Sequence, residues 1–184
     1  MKNTAIQVMD NNDLITISFD DLLKYHGHNM IGGAALAYKI MLWGFPKLTD
    51  GIPRRGSFTF LSGIGPVGEG VIDAVEMVMR VKTQGTLCLD LERVADKPGP
   101  PTPGGKGRYY FELGYAGKTL CLALRDGVVP QEFYDVSLIP GLRRKAGLEL
   151  SEQDISDLTR VRHNLSDAIL NSTPDDLFYV VSCD

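Results

Sequence analysis

Cysteine is scarce and unpatterned in this chain. Cys88, Cys121 and Cys183 form an odd set with no CxxC pair, which excludes a zinc ribbon and argues against a disulfide framework. Cys88 and Cys121 lie inside the apolar runs Leu87-Cys88-Leu89 and Leu120-Cys121-Leu122, and both read as buried, inert thiols. No stretch approaches the ~20 apolar residues of a membrane span. Asp10 and Asp13 interrupt any apolar segment near the start, so no secretory leader is expected. Charge of one sign is lacking too: 19 Lys and Arg stand against 23 Asp and Glu, a net charge of −4 in 184 residues. That balance excludes a generic basic nucleic-acid binder, and 43% hydrophobic residues exclude a disordered chain. There is no GxSxG nucleophile elbow, and the glycine loop has no GK[ST] ending. The expectation is a cytoplasmic protein with a single domain over 1–184, partnered by neither nucleic acid nor membrane.

What is present reads as α+β: a mixed or antiparallel central sheet packed with helices. Alternation through Leu14, Ile15, Ile17 and Phe19 leads to a short helix over 21–25, capped by Ser18 or Asp20. A helix over 29–43 has a small-residue face, Gly32, Gly33, Ala34, Ala35 and Ala37. That face suits close packing on the sheet or on a second copy of the chain, and Gly44 and Pro46 are expected to stop the helix. A strand over 57–61, a glycine-rich loop over 62–70, a helix over 71–81 and a strand over 86–91 follow. The last strand's unbroken apolar character predicts burial on both faces. Four prolines and four glycines exclude regular structure over 97–107. Residues 108–113 and 118–124 read as a hairpin around a four-residue turn, Gly114-Tyr115-Ala116-Gly117. Ser151 and Asp154 make a capping box for a helix over 152–170. Pro174 opens a further short helix, and a strand closes the chain over 177–181. The run Arg143-Arg144-Lys145 reads as a solvated face.

Tyr25-His26-Gly27-His28 is the most informative stretch. In an extended segment, residues two apart face the same side. His26 and His28 are then able to converge on one ion, with Gly27 bending the backbone around it. Imidazole nitrogens suit Zn, Ni, Fe or Cu. Tight zinc takes three or four protein ligands, and no second ligand pair stands at recognisable spacing. His163, between arginines in the C-terminal helix, reads as a surface residue.

The stretch Tyr25 to Gly33, YHGHNMIGG, resembles the signature of the formylmethanofuran dehydrogenase E-subunit family, whose members read His-Gly-His, any residue, Cys-Pro-Gly. Gly70-Val71-Ile72-Asp73-Ala74 is similar to the family's Cys-x-x-Asp-Ala segment, and the hairpin and C-terminal helix also fit. The chain departs from the pattern at Met30, Ile31 and Gly70, where cysteine, proline and cysteine would stand, and it has no separate zinc-finger domain. The resemblance implies an α+β core, a homodimer, and a cleft near the histidines. It implies accessory work in C1 or anaerobic metabolism, with no molybdenum, tungsten or iron–sulfur cluster carried by this chain. The expected site is a Zn or Ni ion on His26 and His28, weakly held and completed by water or a small ligand, with Met30 and Asp73 as candidate ligand-binding residues.

Two alternatives stay open. In one, His26 and His28 act as acid/base groups of a metal-free enzyme, with Asp73 nearby. In the other, Gly63-Ile64-Gly65-Pro66-Val67-Gly68, a literal GxGxxG between strand and helix, binds a dinucleotide or another anion. Asp90 then stands about twenty residues on, where the fingerprint places an acidic group.

Overall fold

A computed structural model describes residues 5–183. A hairpin of β1 (Ile6–Asp10) and β2 (Asp13–Ile17) leads into α1 (Phe19–His26). Ser18 caps α1: its hydroxyl accepts from the Asp21 amide while the Asp21 carboxylate accepts from the Ser18 amide. Gly27, at φ 86°, ends the helix and donates to the Leu23 carbonyl.

The next helix, α2 (Ile31–Leu48), is the axis of the molecule, and most of its residues are buried. It runs a full turn past Gly44 and through Pro46, contrary to the expected stop. A proline inside a helix costs ~3 kcal/mol and a glycine ~1 kcal/mol. Burying Phe45 and Leu48, each under a tenth exposed, returns ~1.5–3 kcal/mol apiece, so packing wins. Gly44 serves as a contact instead, since a Cβ there would lie 2.5 Å from the Leu113 side chain.

A mixed sheet carries the rest, in the order β4-β3-β5-β6-β7. It comprises β3 (Phe58–Ser62), β4 (Leu87–Cys88), β5 (Tyr110–Tyr115), β6 (Lys118–Leu124) and β7 (Phe178–Val181). β3 and β4 run parallel, joined across α3 (Glu69–Met79), and the other pairs are antiparallel. β4 is shorter than expected: two half-buried residues at the sheet edge, followed by a turn of 3₁₀ helix over Glu92–Val94. Its apolar run marks an edge strand rather than one buried on both faces. The β5–β6 turn is also tighter than expected. Ala116 (φ 51°) and Gly117 (φ 78°) alone make it, the paired left-handed residues that suit strand twist.

Alternation along β6 divides two cores. Leu120, Leu122 and Leu124 face the main core under α2, while Cys121 and Ala123 face a smaller one with Leu61, Val94 and Tyr110. After β6 come α4 (Gln131–Ser137), α5 (Ile139–Lys145), α6 (Glu152–Asn171) and the short α7 (Pro174–Leu177). α2 packs between α3 and α6. Its small-residue face is therefore met by helices of this chain, where the sequence leaves sheet or second copy open. The whole is one compact α+β domain, and no helix among the described residues is long and apolar enough to cross a membrane.

Cys121 is not an inert thiol. It is bonded to Cys183, 62 residues away, fastening the chain end beyond β7 to β6, and Cys88 is the free cysteine. Local apolar context predicts burial correctly for Cys121 but not for Cys88, which is partly exposed at the sheet edge, and it carries no information about a partner supplied by strand pairing. Thiol titration of the unfolded, unreduced protein is expected to find one reactive group (Cys88), rising to three after reduction. Cys183→Ser should lower unfolding stability by ~2–4 kcal/mol in urea denaturation.

Candidate functional site

The His-Gly-His segment is not extended. His26 is the last residue of α1, Gly27 turns the chain at φ 86°, and residues 28–30 form a bend before α2. The rule that puts residues two apart on one side does not apply across that turn. The His26 side chain is 5% exposed, whereas His28 lies nearer the surface. His26 Nδ1 donates to Asp73 Oδ2 at 2.7 Å, because a carboxylate can only accept. Asp73 itself is partly open to solvent. Nε2 is buried and has no hydrogen-bond partner among the described residues. Among the described residues, no three His, Cys, Asp or Glu side chains gather where an ion would be held. The donors present, one oriented imidazole and one nearer the surface, fall short of the three that tight zinc takes, and they do not fit a resident metal.

Met30 and Asp73 frame a close backbone contact between α2 and α3. Gly33 of α2 meets Gly70 and Val71 at the start of α3, with a Cβ on Gly33 placed 3.1 Å from Val71 N. A Cβ on Gly70 would run into the Met30 carbonyl oxygen and stand 2.9 Å from Ala34 N. Met30 itself is left-handed (φ 54°), and its carbonyl accepts from the Gly33 amide at 3.1 Å. Asp73 follows Gly70 by one helical turn. Gly70 therefore seats α3 against α2.

The other loop glycines are taken up by similar contacts. A Cβ on Gly63 would fall 2.7 Å from the Arg108 carbonyl, and one on Gly65 2.6 Å from the Leu91 side chain. Asp90 accepts from the Glu92 amide at 2.9 Å, capping the 3₁₀ turn. Strand, loop and helix do form a parallel β–α–β unit, but its glycines approach protein.

Beside the Gly33–Gly70 contact lies a cavity of about 360 Å³ between α2, α3 and α6, roofed by α4 and α5. Met30, Leu36, Val71, Leu165 and Ile169 supply apolar wall, and His26 lies outside it. Three polar groups on the lining matter. Tyr109 is 6% exposed and its hydroxyl has no hydrogen-bond partner among the described residues; burial pushes its phenol upward from the ordinary range. Arg162 is half-buried, and that desolvation lowers its pKa without removing its charge. Arg144 is exposed at the roof.

Among the described residues Arg162 and Arg144 make no ion pair, whereas the neighbouring arginines do. Arg143 binds Asp154 at 2.8 Å, and Arg160 binds Glu132 at 2.8 Å and Asp157 at 3.0 Å. The expectation of a solvated face over 143–145 overlooks Arg144's place on the cavity, and nothing in it points to Arg162. A signal for the latter exists: Leu158, Arg162, Leu165 and Ile169 recur at helical spacing, so Arg162 stands on α6's buried stripe.

Gly70→Ala is expected to lower unfolding stability by ~1–3 kcal/mol or more in denaturant titration, because backbone on both sides of the new methyl leaves no room to yield. No family model, curated protein or solved structure matches this chain, so the site rests on its own geometry.

Proposed function

We propose that this chain is a small-ligand-binding protein, its ligand held in the cavity between α2, α3 and α6. One observation carries the reading: a preformed, mainly apolar cavity of about 360 Å³ with a few polar groups on its lining. That combination of size and chemistry is typical of small-molecule sites. Met30, which the sequence offers as a ligand-binding residue, stands in its wall. The likeness to the formylmethanofuran dehydrogenase E-subunit family, in which residues 25–33 bear the signature, supports a ligand site at this end of α2. A neutral apolar dye such as N-phenyl-1-naphthylamine is expected to bind one per chain with enhanced fluorescence. Gly141→Trp should abolish that binding at little cost in stability, since Gly141 lines the cavity and a Cβ there meets nothing within 4 Å. Unchanged dye binding in this variant would refute the reading.

A second reading is favoured by His26. An imidazole fixed through Nδ1 by a carboxylate, with Nε2 unpartnered, is the arrangement that metal-ligating histidines adopt. Because the donor set is incomplete in this chain, Zn²⁺ or Ni²⁺ should bind weakly and be lost on dialysis. Metal analysis of tag-free protein is expected to find that binding reduced in the His26→Ala/His28→Ala double variant, and equal uptake by both proteins would remove the idea.

A further inference from the structure

Arg162 presents an unusual electrostatic situation. A guanidinium half withdrawn from water ordinarily has a carboxylate beside it, because desolvating an unpaired charge is costly. Arg143 and Arg160, close in space or on the same helix, both have one. Arg162 makes no ion pair with a described residue, and Glu69 acts on it only from beyond contact range. Arg144 is likewise free of ion pairs among the described residues and lines the same cavity. Around these charges the wall is largely hydrocarbon, with Leu165 and Ile169 beside Arg162 on α6 and Leu36 and Val71 from α2 and α3. A neutral apolar molecule would leave the guanidinium with only the distant Glu69 carboxylate as counter-charge, and a small inorganic anion would leave the hydrocarbon unused.

We propose that the cavity is a site for an amphipathic carboxylate, its apolar tail among Leu36, Val71, Leu165 and Ile169 and its carboxylate on the Arg162 guanidinium. This deepens the small-ligand reading and rests on it. Guanidinium and carboxylate match as two parallel N–H···O bonds, which fixes orientation as well as sign. Arg144 adds a second positive charge at the roof. The unpartnered Tyr109 hydroxyl is a further donor on the lining.

Octanoate and octan-1-ol, equal in tail and different in head, test the proposal by displacing N-phenyl-1-naphthylamine from the protein near neutral pH. Octanoate is expected to compete at least ~10-fold better than the alcohol, as a charge-assisted hydrogen-bonded pair warrants. Arg162→Leu should erase that preference while dye and octanol still bind, and Arg162→Lys should keep part of it. Dye retention shows that the variant folds, and Arg144→Leu, farther from the buried stripe, should weaken the preference without abolishing it. Equal competition by acid and alcohol in the unaltered protein overturns the proposal and leaves the small-ligand reading standing. So does a full acid preference in Arg162→Leu. Absence of dye binding to the unaltered protein overturns both.

Discussion

The contact between Gly33 and Gly70 governs the arrangement of this molecule. Two helices meet there backbone to backbone: Gly70 has no room for a side chain, and one at Gly33 would crowd the Val71 amide at 3.1 Å. The approach brings the Met30 carbonyl over α3 and places Asp73, a turn further on, against His26. It also brings the beginnings of α2 and α3 to one side of the cavity, whose opposite wall is α6. Close packing has little tolerance for added volume in such a crossing. The His26–Asp73 pair and one side of the cavity thus share this contact as their anchor.

That fact changes the meaning of the family-like residues. At Gly70, where the resemblance calls for cysteine, the need is for absence of bulk. At Met30 a left-handed backbone serves the carbonyl more than the thioether. Asp73 orients an imidazole. Each of these residues has a structural occupation in this chain, whatever chemistry it also serves.

Much of the fold is legible in the sequence. The cap at Ser18, the capping box at Ser151 and the 108–124 hairpin follow from local chemistry, and local chemistry prevails there. Departures come where a distant partner decides. Pro46 stays helical because Phe45 and Leu48 find a core, and Cys121 is bonded because β7 returns beside β6. Leu87 and Cys88 sit at an edge because no further strand arrives. The histidine geometry departs for a nearer reason, the turn at Gly27, which periodicity does not register. The cavity is invisible in the sequence because its walls come from widely separated segments, and only Arg162, a charge on an apolar stripe, betrays it.

The two sides of that cavity are secured by different physics. Its base is the α2–α3–α6 core, whereas α4 and α5 above it bury no residue completely and are tied to α6 by the Glu132–Arg160 and Arg143–Asp154 pairs. Ion pairs reached by solvent contribute little and weaken with salt. Because Phe133 and Tyr134 also pack α4 against the main core, salt reaches only the smaller part of the roof's attachment, and the walls of the cavity answer to ionic strength unequally.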